Sequence, residues 1–249
     1  MANFSYNTIV VKGKRENVIA WLNKARKFHV SPNVSNKQLI KRLNTMSKSG
    51  HGLTLHSFLP IPKTYKNFDT TNDLLKRNFF KGTDEEYTKY VKGYKKAKRY
   101  QMKMYGVVGW YDWNLKFLGC KWDSSLFNWS IRENNDDFML IFNCDTPWSY
   151  PNAWIETMQK QNDNLTFFCR AQEESCAYNG YFCARGKELE YDYPDLWKDA
   201  RQEIRINHHD IEEESDEWYD ILCDIETRMN DKLTEKFYQF VENYVYEGE

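Results

Sequence analysis

Five cations, Lys89, Lys92, Lys96, Arg99 and Lys103, recur at steps of three and four residues. On an α-helix that spacing gathers them within about 80° on one face. Such a row can track a phosphate backbone, because each Lys or Arg that neutralises a phosphate releases a condensed counterion. An ordinary solvated helix face, or one neutralised by acidic residues elsewhere in the chain, fits the same spacing. A second charged set lies further on, at Glu213, Glu214, Glu217, Asp220 and Asp224. The stretch Asp210–Glu226 holds nine carboxylates and no Lys or Arg. Carboxylates spaced along a helix resemble a row of phosphates and can fill the basic channel of a nucleic-acid-binding machine. They can equally be the wet side of a helix that packs only its apolar stripe.

Other reactive types are less well arranged. Cys169, Cys176 and Cys183 are spaced seven apart, whereas zinc sites usually pair ligands two to four residues apart on a turn. They are expected to fill small spaces in a core, and no metal or cofactor is expected. His208-His209-Asp210 suggests a metal-dependent hydrolase only if partner ligands stand at recognisable spacing, which they do not. No phosphate-binding glycine loop, dinucleotide fingerprint, nucleophile elbow or deaminase zinc motif is present. Asn179-Gly-Tyr-Phe-Cys-Ala-Arg185 shares only Gly-Tyr with the RNA-recognition consensus. Trp110, Trp113, Trp122 and Trp148 can stack on bases or anchor a peptide. Aromatics at helical spacing more often pack in a core, so a structural role is expected, with Lys121 and Asp123 satisfying polar edges.

The elements that must position these residues follow from periodicity. Ser5–Lys12 alternates as a strand, and Glu16–Lys27 follows as a helix burying Val18, Ile19, Trp21, Leu22 and Ala25. Gln38–Ser47 predicts a short basic helix, and Leu53–Phe58 a second strand closed by Pro60-Ile-Pro62. Asp84-Glu-Glu86 sits where a helix dipole favours carboxylates and opens the basic helix, Asp84–Met104. Val107–Leu118 predicts an aromatic helix and Cys120–Arg132 an extended run. Phe138–Cys144, apolar on both faces, predicts a central strand. A helix from Pro151 to about Lys160, strands at Leu165–Ala171 and Asn179–Ala184, and a long helix striped from Trp218 to Tyr244 complete the order.

Composition narrows the class. The formal net charge is only -1, from 35 Lys+Arg against 36 Asp+Glu. Residues 1–105 nevertheless carry 22 basic and 6 acidic side chains, and residues 187–249 carry 7 and 20. Segregation of this size points to charged partners that the total hides. A mean hydropathy of -0.81 with no long apolar run predicts no spanning helix, and the first residues lack a secretory pattern. An aromatic content of 16% supplies enough core material for an ordered fold. Six unevenly placed cysteines fit reduced thiols in a cytoplasm-like compartment.

Strand, helix, strand, strand, helix, strand is the order of a split βαβ, ferredoxin-like unit. Leu59-Pro-Ile-Pro62, Trp110-Tyr-Asp-Trp113 with Leu118-Gly-Cys-Lys-Trp-Asp123, and Thr146-Pro-Trp-Ser-Tyr-Pro151 carry a family resemblance. Together they resemble the phage and plasmid proteins with a YubB-type ferredoxin-like domain. The resemblance implies an α+β ferredoxin-like core over residues 1–186, enlarged by a basic helical insertion at about 28–105. Residues 187–249 are expected to form an acidic helical extension. It also implies a mobile-element origin but no reaction, since that family has none established.

The expected function is therefore a non-enzymatic phage or plasmid accessory protein of the host cytoplasm. Its expected partner is a host nucleoprotein or nucleic acid, with no membrane, and inhibition of a defence system such as CRISPR is the corresponding role. The alternative is a structural or regulatory oligomer in which the acidic helix of one copy docks on the basic helix of another. A hydrolase using His208, His209 and Asp210 is the third reading.

Overall fold

The computed structural model describes residues 3–67, 77, 80–134, 137–174, 179–185 and 196–244. Cys176 and the segment boundary expected at 187 lie outside these residues. β1 (Phe4–Gly13) is buried on both sides, Ile9 and Val11 entering one core and Val10 another. α1 (Arg15–Leu22) follows, with Glu16 in the first turn and Val18, Ile19, Trp21 and Leu22 buried.

The chain then remains helical for a long stretch. α2 (Asn36–Lys48) opens on a capping box in which Ser35 and Gln38 satisfy each other's backbone N–H. α3 (Leu55–Phe58) occupies the place where the sequence predicts a second strand. Only Thr54 is extended enough to bridge, to Ser125, and Thr54 with Ser57 forms a capping box that winds the next residues into a turn. Phe58 consequently stacks on Trp21 at 4.3 Å and 10°. α4 (Lys63–Asn67), α5 (Asp84–Tyr105) and α6 (Trp110–Phe117) come next.

β2 (Phe127–Asn134) and β3 (Asp137–Pro147) form a hairpin, its register shifted between Phe127 and Ser130, where Asn128 has φ +52°. α7 (Asn152–Lys160), β4 (Leu165–Glu173) and β5 (Asn179–Cys183) follow. α8 (Leu196–Asn207) and α9 (Asp216–Asn243) close the described chain. The sheet order is β2-β3-β1-β4-β5 with every neighbour antiparallel. Its first four strands, with α1 and α7 as the two connecting helices, make a ferredoxin-like α+β core. β5 adds an edge strand by a second hairpin.

The sheet is covered on both faces. One face packs on α1 and α7 around Trp21, Phe142, Trp154 and Phe167. Gln159 fastens α7 to β4, accepting from the Phe167 N–H at 3.1 Å and donating to the Leu165 carbonyl at 2.7 Å. The other face carries Val10, Met139, Ile141 and Phe168, covered by Phe237 and Val241 of α9. The first half of α9 packs Trp218, Leu222 and Ile225 on Ile204 of α8. Among the described residues no helix is long and apolar enough to cross a membrane.

Candidate nucleic-acid interface

α5 is locally well specified. Thr83 caps it reciprocally with Glu86, and three carboxylates fill its first turn. Gly106, at φ +68°, ends it in the left-handed conformation. Tyr94, Ala97 and Gln101 form its buried side. Gln101 ties that side down, donating to the Thr64 carbonyl at 3.0 Å and accepting from the Gly109 N–H at 3.3 Å. Lys116 of α6 donates to the Tyr105 carbonyl at 2.7 Å.

This anchoring turns the opposite side outward. Lys89, Lys92, Lys96, Arg99 and Lys103 are all exposed, as the spacing predicts. Lys95 and Lys98 are exposed too and widen the positive surface to roughly half the helix circumference. None of the seven has an ion pair among the described residues. From Lys89 to Lys103 the row is about 21 Å long. A groove of about 490 Å³ runs beside it, lined by Lys95, Lys98, Arg99, Met102, Lys103 and Val108. Lys95, Lys98, Met102 and Val108 go beyond the sequence reading. Counting every cation on the helix, rather than one strict stripe, finds the two lysines; the groove needs the α5–α6 turn.

The acidic set lies elsewhere. Glu213 and Glu214 sit in the turn before α9, where Glu214 has φ +67°, and Glu217, Asp220 and Asp224 are exposed on the helix. Among the described residues no ion pair joins α5 to α9. The reason is topological. α9 covers the sheet face of Val10, whereas α5 is tied to α4 and, through Tyr105, to the core on the face of Val11. Neutralisation of the basic row by the acidic one within a chain is therefore not what this fold builds.

The tryptophans divide. Trp113 is buried, and Trp110 packs half-buried against the main core, in line with a structural role. Trp148 and Trp122 depart from it, remaining 47% and 36% exposed. The Lys121 ammonium lies 4.1 Å from the Trp148 ring centroid and 5.0 Å from that of Trp122. Tyr111 meets Trp148 edge-on at 6.5 Å.

Asp123 is turned inward, to His56. Its carboxylate accepts the His56 backbone N–H at 2.9 Å and faces Nδ1 at 3.3 Å. Burial pushes the Asp123 carboxyl upward, but the hydrogen bonds and charge of His56, helped by Thr54, outweigh it and hold the group below its ordinary value. Asn114 donates to the Lys121 carbonyl, so its Oδ1 faces His56 Nε2 at 3.1 Å. Both ring nitrogens thus face oxygen atoms, and neither is left open to a substrate.

His208, His209 and Asp210 lie at the end of α8, where a cavity of about 290 Å³ is lined by both histidines with Arg201, Arg205 and Trp218. Among the described residues no three His, Cys, Asp or Glu side chains come together to hold a metal. Cys120, Cys144, Cys169 and Cys183 are buried, as expected of core-filling thiols, and Cys223 is exposed. Burial, with Asp123 adding to it, raises the Cys120 thiol to about 12, which makes it a poor nucleophile.

One family model agrees with the fold. Residues 127–222, from β2 into α9, match the family model described as the ferredoxin-like domain in Api92-like protein. The match spans β2, β3, α7 and β4 of the ferredoxin-like core described above. A crystal structure of a protein api92 from Yersinia pseudotuberculosis aligns over 77% of this chain and 98% of its own, at 11% identity and a TM-score of 0.33. No curated protein matches the sequence.

Proposed function

We propose that this protein is a non-enzymatic binding protein whose α5 face engages nucleic-acid phosphates, free or held in a host nucleoprotein. One observation carries the reading: seven exposed cations on a helix pinned from behind, with no carboxylate partner among the described residues. The pinned helix fixes the spacing of the cations, and counterion release supplies the drive. The resemblance of the Pro-Ile-Pro, Trp-Tyr-Asp-Trp and Trp-Ser-Tyr-Pro motifs to phage and plasmid proteins supports a mobile-element origin, and the phosphate-like row of carboxylates before and along α9 supports a role against a host defence system in the host cytoplasm.

The test is charge reversal at Lys92, Lys96 and Arg99, all exposed and outside the packed side of α5. Five engaged cations on duplex DNA give a logarithmic salt slope of about -4.5, and removing three reduces its magnitude by about 2.7. Wild-type affinity and slope in the reversed variant, with its circular dichroism unchanged, would reject the reading.

A second reading has its own support. Glu217, Asp220 and Asp224 are exposed on the half of α9 that packs on α8, so a second copy can reach them. Pairing of α9 from one copy with α5 of another would be a heterologous, head-to-tail contact. Sedimentation at low and high salt separates the readings, because only this one requires an assembly that salt dissolves.

A further inference from the structure

The loop between β3 and α7 holds Trp148 at φ +72°. That left-handed conformation is unfavourable for a non-glycine residue, and such strain persists only where the surroundings impose it. Here they do. The Trp148 N–H donates to the Asn3 carbonyl at 2.8 Å, and the Thr146 hydroxyl donates to the Ser149 carbonyl at 2.7 Å. The Ser149 hydroxyl is bonded to the Gly119 carbonyl. These bonds fix a loop that presents a large indole to solvent rather than to the neighbouring core.

The exposed ring is not alone. Lys121 places its ammonium beside Trp148 and Trp122, so π-faces and a positive charge occupy one patch. Tyr111, in contact with Trp148, is three residues after Val108, which lines the groove beside the α5 cations. The Val108 and Tyr111 α-carbons are thus at most about 11 Å apart. The start of α6 therefore links the aromatic patch, through Tyr111, to the groove beside the cationic row, through Val108.

We infer that the nucleic acid bound is single-stranded, its backbone following the α5 cations while a base stacks on Trp148. This rests on the phosphate-binding role proposed for α5 and names its substrate class. A duplex keeps its bases stacked on one another, so an exposed indole has no π-face to meet. An unpaired strand offers one at every base, and aromatic platforms beside a cationic track serve that class regardless of sequence. An acidic peptide also suits the cations, but its carboxylates give the indole nothing to stack on.

The experiment measures anisotropy of a fluorescent oligothymidylate and of a labelled duplex of equal length. It compares the full wild-type chain with Trp148→Gly, Trp148→Phe and the α5 charge-reversal variant. Glycine adopts φ +72° without strain, so Trp148→Gly removes the ring and keeps the loop; a melting temperature no lower than that of wild type checks that. Stacking on one base corresponds to about a 5- to 150-fold change in affinity. The expected result is tighter binding of the single strand by wild type, a loss of that size in Trp148→Gly for the single strand alone, and recovery in Trp148→Phe. Charge reversal should weaken both probes. Equal single-strand affinity in wild type and Trp148→Gly overturns the inference while leaving the α5 reading intact. Binding of neither probe overturns both, and so does binding of a poly-glutamate peptide in their place.

Discussion

Lys12 Nζ lies 3.0 Å from the carbonyl oxygen of Val241, joining the central strand to the last turn of the final described helix. The same ammonium donates to the carbonyls of Glu242 at 3.3 Å and Tyr244 at 3.0 Å, and pairs with Asp137 at 3.0 Å. The last carbonyls of a helix have no partner within it, and a cation there also answers the helix dipole. A lysine on the sheet face, 7% exposed, thus caps the helix that covers that face.

Lys12→Met keeps most of the buried volume and removes the cap. Asp137, with a side chain 45% exposed, can return to water, so the loss comes mainly from the stranded carbonyls. We expect a destabilisation of about 1–3 kcal/mol in urea unfolding. Hydrogen exchange should show the end of α9 opening first, around Phe237–Val241. A uniform rise in exchange across the sheet would argue instead that Lys12 supports the core as a whole.

Asp123 gives a pH signature with a defined sign. Its folded-state pKa is held below 3.8, so the ionised carboxylate favours the folded chain. That stability is complete above the unfolded pKa and is lost as pH falls through the folded value. Asp123→Asn should therefore be destabilising near neutral pH, and the gap from wild type should close below about pH 4. Urea midpoints for both proteins across that range decide the matter. A gap that stays constant would mean that the charge of Asp123 is not its source.

Much of the sheet was legible because its cause is local. Val10 and its neighbours Ile9 and Val11 are all apolar, and both faces of β1 are covered. Leu53–Phe58 misled because Leu53 and Leu55 alternate like a strand, while Leu55 and Phe58 are also one helical turn apart. The Thr54–Ser57 capping box and the place for Phe58 on Trp21 decided between them. The basic face of α5 was readable from spacing, since a helix with one packed side must expose the other. Trp148 was not readable. Its exposure follows from a left-handed backbone, and its partner Lys121 stands twenty-seven residues earlier; periodicity carries neither. His56 and Asp123, 67 residues apart, met only through the fold.

Gly119 tests whether the aromatic patch depends on one close approach. It has φ +82°, and a Cβ there would lie 2.0 Å from Asn152 Oδ1 and 3.0 Å from the backbone nitrogens of Asn152 and Ala153. The side-chain clash can be relieved by turning Asn152; the tight backbone approach needs the start of α7 to shift by a few tenths of an ångström, and the positive φ remains. The same carbonyl accepts the Ser149 hydroxyl that braces the Trp148 loop. Gly119→Ala should therefore cost at least about 1–2 kcal/mol and disturb the loop as well. Adding Asn152→Ala should recover only part of that, because α7 still begins against residue 119. The check is urea unfolding of the single and double variants, with acrylamide quenching of tryptophan emission to follow Trp148. Full recovery of stability in the double variant would show that Asn152 alone, not the backbone contact, requires glycine at this position.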